Sequence, residues 1–245
     1  MRLRLVALGC TLAGALGFVA LPPTVAQAAG PAKVKPGLSI STLAGGYPYG
    51  DKVKLTVTLG KTAGSRVVLV YAQPSGRPRT LVQRGKVNGK GKLYPAYRIT
   101  RTTRFTVVYP GDARDSPATA SRTVTAAAPV TAAIAGYYQT TKISGVSYRL
   151  FRAKSMLTLR ATVTPGKPGE CLEPETEQFD PGSGWNADTR YGCDKLGAKS
   201  SDSAPFSLRQ AVGDRYRIRA DYVPGARNTA NVNGHSGWLY FAVVR

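Results

Sequence analysis

The sequence predicts an all-β protein: two tandem antiparallel β-sandwiches behind an N-terminal export signal. Three observations carry this prediction. Apolar and polar residues alternate over long stretches, and in Lys52-Val53-Lys54-Leu55-Thr56-Val57-Thr58-Leu59 every second residue is apolar. That is the pattern of a strand with one face on a core and the other in water. Clusters of Gly, Pro, Asn, Asp and Ser separate most such stretches, and closely spaced strands without helical segments argue for sandwiches. The second half of the chain then repeats the plan of the first.

In chain order, Met1-Arg2-Leu3-Arg4 is a short basic segment, Leu5 to Ala20 is mostly apolar and uncharged, and residues 21–28 end in Ala-Gln-Ala. This is the layout of a secretory signal peptide cut between Ala28 and Ala29. Read instead as a membrane anchor, the apolar stretch is short, since a span needs about 20 residues, and Pro22-Pro23 follows it. A lipid-modified Cys10 would leave almost no apolar segment upstream. Residues 1–28 are therefore read as signal peptide and 29–37 as an N-terminal linker. The mature chain is expected to be secreted, with no transmembrane segment.

Export sets the reading of the cysteines. Cys10 leaves with the signal, and Cys171 and Cys193 remain as an even pair in an oxidising compartment, where a disulfide is the default. A bridge closing a loop of about 23 residues stabilises by about 3 kcal/mol on the chain-entropy view. A metal pair or a reactive thiol would need further ligands or a base, and His235 is the only histidine. Zinc sites usually draw four ligands from Cys and His. No metal and no cofactor is expected.

The first sandwich is placed at 38–126. Its strand candidates are Leu38–Thr42, Lys52–Leu59, 66–73, 79–86, 92–99, 104–109 and 120–125. A linker at 127–136 leads to the second sandwich at 137–245. Thr103-Arg104-Phe105-Thr106-Val107-Val108-Tyr109-Pro110-Gly111-Asp112 is matched by Arg215-Tyr216-Arg217-Ile218-Arg219-Ala220-Asp221-Tyr222-Val223-Pro224-Gly225. Both alternate, both carry a Tyr near the end, and both run through Pro-Gly into a polar loop. Lys54 to Leu59 finds a counterpart in Met156–Val163, and the final strand of the first copy finds one in 237–244.

The stretches Tyr49-Gly50-Asp51-Lys52-Val53-Lys54-Leu55-Thr56-Val57 and Phe105-Thr106-Val107-Val108-Tyr109-Pro110-Gly111-Asp112-Ala113 resemble the opening and the close of bacterial immunoglobulin-like repeat domains. Such domains occur in exported actinobacterial proteins. The resemblance covers 38–126 well and 130–245 loosely. It implies immunoglobulin-like sandwiches serving as spacers, adhesive modules or accessory domains. It brings no catalytic or ligand set, so no functional residue follows from it. Residues 165–204 depart from the pattern, holding both cysteines, acids, Pro and Gly with little alternation. The Cys171, Trp185, Cys193 spacing does not fit the antibody-type disulfide, because the second cysteine follows the tryptophan too closely. The segment reads as a disulfide-stapled insertion or an irregular pair of middle strands, and as a candidate for specialised binding.

Charge is the strongest functional signal. Of 34 Lys and Arg residues, Arg2 and Arg4 leave with the signal, so the mature chain carries 32 bases against 13 acids, a net +19. Between Asp51 and Asp112 lie 13 Lys and Arg residues and no acid. Such a field attracts polyanions without sequence specificity. Anionic cell-wall polymer, anionic lipid surfaces and free nucleic acid all qualify, and a merely solvated face is the plainer alternative. No specific nucleic-acid recognition is expected. The candidate contacts are Arg84, Lys86, Lys90, Lys92, Arg101 and Arg104. Within 82–99, Asn88-Gly89 signals a tight hairpin between two strands, Gly91 suits a bulge, and Pro95 marks an edge or distorted strand.

Catalytic chemistry is thin. His235 sits between Asn233-Gly234 and Ser236-Gly237, where sequence adjacency to Ser236 rarely makes a triad. The acids at 170, 173, 175, 177 and 180 could pair for glycoside chemistry or gather calcium, but they lack the spacing of a calcium loop. Gly60-Lys61-Thr62 is the tail of a phosphate loop with Leu55 where the first glycine belongs. The expectation is a non-enzymatic exported module, structural or adhesive, in the cell envelope or the medium. The alternatives are a polyanion binder working through the basic first sandwich, or an inhibitor or carbohydrate binder working through the Cys171–Cys193 loop.

Overall fold

In the N-terminal half the strands are β1 (Leu38–Thr42), β2 (Gly46–Pro48), β3 (Lys52–Leu59), β4 (Val67–Pro74), β5 (Thr80–Lys86), β6 (Lys92–Leu93), β7 (Ala96–Arg98), β8 (Thr103–Tyr109) and β9 (Ala118–Ala127). The structure is a computed structural model that describes residues 32–208 and 212–245. The segment expected to be a signal peptide, with its Ala28/Ala29 junction, lies outside the described residues. One sheet runs β1-β3-β6, with β7 also on β3, and the other runs β2-β9-β8-β4-β5. Alternation explains why they pack. Val53, Leu55, Val57 and Leu59 of β3 join Val68, Val70 and Ala72 of β4 and Phe105, Val107 and Tyr109 of β8 in one buried cluster. Each large apolar side chain in it contributes about 2 kcal/mol by leaving water.

The C-terminal half holds β10 (Val130–Ala135), β11 (Gln139–Ile143), β12 (Val146–Arg152), β13 (Met156–Val163), β14 (Cys171–Asp180), β15 (Gly184–Arg190), β16 (Asp194–Lys195), β17 (Ser201–Ser207), β18 (Arg215–Val223), β19 (Gly234–His235) and β20 (Leu239–Val244). Its sheets are β10-β13-β17 and β11-β12-β20-β18-β14-β15, with β16 on β14 and β19 on β18. A second buried cluster lies between them, built on Phe151, Leu157, Leu159, Ile218, Tyr222 and Phe241. The order β2-β9-β8-β4-β5 is matched by β12-β20-β18-β14-β15, and each begins with a parallel pair. The all-β, sandwich-like architecture expected from alternation is what the chain forms. Among the described residues no helix is long and apolar enough to cross a membrane.

Four local expectations change. The stretch read as a linker at 127–136 contains β10, which pairs along its length with β13 and buries Val130 and Ile134. Alanines at 132, 133 and 135 dilute the apolar signal there. The single strand expected at 92–99 is split into β6 and β7, because Pro95 has no N–H to donate; its carbonyl still accepts from Leu55 N at 2.9 Å. The segment 165–204 takes the second of its two forms. It is not a long insertion but an irregular pair of strands, β14 and β15, with a register shift between Thr176 and Glu177. The disulfide Cys171–Cys193 is formed, with the Cα atoms 5.1 Å apart, at the start of β14.

The fourth change concerns Asn88-Gly89. β5 pairs with β4, whereas β6 pairs with β3. The turn therefore carries the chain from one sheet to the other and is not a two-residue hairpin. Asn88 Oδ1 accepts from the backbone N–H groups of Lys90 and Lys92, both at 2.9 Å. The left-handed residue is Gly91, with φ 75°. A Cβ there would lie 2.3 Å from the Leu59 carbonyl oxygen, so the corner needs glycine.

Lys33–Arg245 form one compact unit, and the loop before β19 is the reason. Thr102 N donates to Ala230 O at 2.7 Å, and Val232 N donates to Ala126 O at 2.9 Å. Asn231, buried at 2% exposure, donates through Nδ2 to Thr100 O at 3.1 Å and Ala126 O at 3.3 Å. A Cβ on Gly234 would sit 1.9 Å from Ala128 O, so only glycine allows this approach.

Candidate functional site

The two halves treat charge differently. Residues 33–127 carry 17 Lys and Arg against 3 acids, a net +14, whereas residues 128–245 carry 15 against 10, a net +5. The three acids of the N-terminal half are Asp51, Asp112 and Asp115, and two of them are engaged in backbone structure. Asp112 accepts from Ser65 N at 2.6 Å, Arg114 N at 2.8 Å and Asp115 N at 3.0 Å. Those bonds, from Arg114 first, then Ser65 and Asp115, hold its carboxyl below the usual carboxylate range. Asp115, 1% exposed, accepts from Ala63 N at 2.9 Å and Gly64 N at 3.1 Å. The Tyr109 hydroxyl donates to both carboxylates, and burial together with their two charges pushes it up to about 12.

Among the described residues no ion pair involves a cation of the N-terminal half. Its bases are also crowded. On the outer face of the β1-β3-β6 sheet, Lys52 is the direct cross-strand partner of Arg98, and Lys54 follows two residues along the same face. Lys92 lies opposite Thr58 and points outward with it, since its neighbours Leu93 and Val57 point to the core. Like charges directly opposite in a ladder are destabilising. Lys52, Lys54 and Arg98 are all exposed.

The six contacts expected from sequence do not form one patch. Lys92 belongs to the outer face just described, and Lys90 lies on the corner beside it, exposed. Lys86 and Arg84 stand exposed on the edge strand β5, opposite Val67 and Leu69 of β4. Arg104 is opposite Gln73, toward the other end of β4, about 13 Å along the strand from Leu69. Arg101 is half-buried and donates to Ser75 O at 3.3 Å, bracing a residue whose hydroxyl lies 2.6 Å from that of Thr229 in the C-terminal half. The residues that sequence reasoning left out of the site are Lys52, Lys54 and Arg98. Their period-two spacing on β3 was visible, but their pairing across to β7 required the register.

In the C-terminal half most of the acids are engaged internally. Glu173, Glu175 and Glu177 point outward from β14 against Arg190, Arg217 and Arg219, with Arg190 to Glu175 at 3.2 Å and Arg219 Nε to Asp221 at 3.0 Å. Arg217 pairs with Glu177 and also lies over the rings of Trp185 at 4.7 Å and Trp238 at 4.4 Å. Both tryptophans are thus half-buried on an outer sheet face, layered with guanidinium groups, not placed in the core. Asp180 closes the β14–β15 turn by accepting from Gly182 N at 2.7 Å and Ser183 N at 2.9 Å. Glu170 accepts from the Tyr222 hydroxyl, from Asn228 Nδ2 at 2.9 Å and from Gly225 N at 3.2 Å. Burial alone pushes the Glu170 carboxyl up, and those three bonds outweigh it and hold it below the usual range. His235 Nδ1 lies 3.0 Å from the Ser236 carbonyl oxygen, while Ser236 Oγ accepts from Ala220 N at 3.0 Å and donates to Gly237 O at 2.9 Å. Both side chains are tied to backbone.

No protein-family model and no curated protein matches the chain.

Proposed function

We propose that this is an exported, non-enzymatic adhesive module of two tandem immunoglobulin-like sandwiches that holds an anionic polymer electrostatically through its N-terminal half. The observation that carries the reading is the unneutralised outer face of β3 and β7. Lys52 and Arg98 stand directly opposite each other with no carboxylate partner, and Lys54 and Lys92 share the face. A fold keeps such a repulsive pair at a cost of a few tenths of a kcal/mol, and an external polyanion relieves it. The exposed Lys90 at the adjoining corner and Lys86 and Arg84 on β5 extend the field. The C-terminal half, with Glu173, Glu175, Glu177 and Asp221 paired to its own arginines and its loop locked onto residues 100–102 and 126–128, provides a rigid support. Anionic wall polymer is the class of partner that fits an exported chain of this charge.

Retention of the purified chain on immobilised heparin, used as a generic polyanion, tests the reading. The chain is retained at low salt and released as salt rises, since binding by charge neutralisation weakens steeply with ionic strength. Lys52→Gln/Arg98→Gln elutes at clearly lower salt. Flow-through of the unaltered chain at low ionic strength overturns the proposal.

A further inference from the structure

The C-terminal half has an opening between its sheets. A cavity of about 520 Å³ lies between its two sheets, within the size range of small-molecule sites. Its floor is core: Leu157, Ile218, Phe241 and Val243. Its walls are polar, from Thr176 and Gln178 of β14, Asp188 of β15, and Asp214 and Tyr216 at the start of β18. The cause is a change in one strand. β5, the corner after it and β6 pack Val82, Val87 and Leu93 against the core of the N-terminal half. The strand in the corresponding place, β15, reads Gly-Trp-Asn-Ala-Asp-Thr-Arg and offers Asp188 in that direction.

The lining is unusual for this chain. Overall it has 34 Lys and Arg residues against 13 acids, yet among the described residues the cavity is lined by two carboxylates and by no Lys or Arg. Neither carboxylate takes part in an ion pair among the described residues. Both are instead oriented by neutral donors. Thr176 Oγ1 donates to Asp188 Oδ2 at 3.0 Å, and Gln178 Nε2 donates to Asp214 Oδ2 at 2.9 Å, with the Tyr216 hydroxyl at 3.4 Å. In each case the hydrogen bonds fall on Oδ2. Burial first, then the nearby charges of Asp214 and Asp188, push the Tyr216 hydroxyl up to about 12. Aromatic surface completes the walls. Tyr191 packs edge-on to Phe206 with centroids 4.7 Å apart, and Tyr216 stacks on Phe241 at 5.3 Å. Asp188 stands exposed at the mouth and Asp214 half-buried behind it, and rings with carboxylates attract organic cations.

We propose that this cavity binds a small organic cation, an ammonium or guanidinium group on an aliphatic or aromatic body. The cationic head lies between Asp188 and Asp214, and the body rests on Leu157, Ile218 and Phe241. The site is independent of the basic face of the N-terminal half and has the opposite charge preference.

The test is a titration of the full mature chain with phenethylammonium and with its neutral counterpart 2-phenylethanol, followed by calorimetry and by the ring resonances of Tyr191 and Tyr216. The amine binds at least about tenfold more tightly than the alcohol and shifts both tyrosines. Asp188→Asn and Asp214→Asn each weaken the amine about tenfold and leave the alcohol unchanged, while Asp202→Asn, outside the cavity, changes neither. Equal binding of amine and alcohol, no binding of either at millimolar concentration, or unaltered amine binding in both cavity variants overturns the proposal. If a cavity variant does not fold, the comparison of the two compounds on the unaltered chain decides alone.

Discussion

The N-terminal and C-terminal halves run their main sheets in the same strand order, β2-β9-β8-β4-β5 and β12-β20-β18-β14-β15, but they spend their polar residues in opposite ways. The first fills the space between its sheets with apolar side chains and leaves its cations unpaired on the outside. The second pairs its outward acids with arginines and turns Thr176, Gln178, Asp188 and Asp214 inward around a cavity. A shared topology therefore fixes neither surface charge nor interior polarity. Both are set by which residue type occupies the outward and inward positions of each strand.

Removing the disulfide, which only the C-terminal half has, should separate the two halves most strongly. Cys171→Ser/Cys193→Ser should cost about 3 kcal/mol, confined to that half. Trp185 and Trp238 are the only tryptophans, so a denaturant titration followed by tryptophan fluorescence reads it directly. An equal loss of protection in the amides of β3 and β8 would show that the halves unfold as one.

A smaller effect separates the two tyrosines at matched positions. Tyr222 bonds Glu170 and accepts from Asn228 Nδ2 at 2.5 Å, whereas Tyr109 reaches Asp115 at 3.3 Å and Asp112 at 3.4 Å. Tyr222→Phe should cost about 2 kcal/mol and Tyr109→Phe about 1 kcal/mol, as expected for bonds to charged acceptors of unequal quality. Chemical denaturation of the two variants checks the order, and a reversed order would contradict the reading of the loops.

Smaller again, and opposite in sign, is Arg98→Gln. Removing one of two like charges in register with Lys52 should stabilise by about 0.5 kcal/mol while weakening polyanion binding. Thermal denaturation at low salt measures it, and the gain should fade as salt screens the repulsion.

The last expectation concerns pH. The Asp112 carboxyl is held below its ordinary value in the fold, so its contribution is complete above its unfolded pKa of about 3.9 and is lost as pH falls through the lower folded value. Hydrogen exchange at Ser65 and Arg114, whose amides it accepts, should quicken below about pH 4 in the unaltered chain. In Asp112→Asn that acid-dependent change should be absent.

Much of the fold was legible because alternation survives wherever one strand face is apolar. Lys52–Leu59 and Thr103–Tyr109 were plain for that reason. β14 was obscured because its inward residues Thr176 and Gln178 line a cavity instead of the core, so Glu173 to Gln178 reads as polar on both faces. β10 was hidden by alanine, and the Asn88-Gly89 corner by a turn signal that does not say which sheet the next strand joins. The basic character of the N-terminal half was visible in composition. Its concentration on Lys52, Lys54, Lys92 and Arg98 was not, because it depends on register between strands about 40 residues apart. The cavity was not legible at all, since Asp188 and Asp214 come together only when β14, β15 and β18 pair.

The central claim is that the unpaired cations of the N-terminal face, and not net charge as such, hold the polyanion. The direct measurement compares two charge reversals of equal size, Lys52→Glu/Lys54→Glu/Lys92→Glu on that face and Lys142→Glu/Arg160→Glu/Lys199→Glu at exposed positions of the C-terminal half. Affinity for heparin is measured across a salt series. The first set should lower affinity at least about tenfold more than the second and flatten the salt dependence. Equal losses from both sets would contradict that claim.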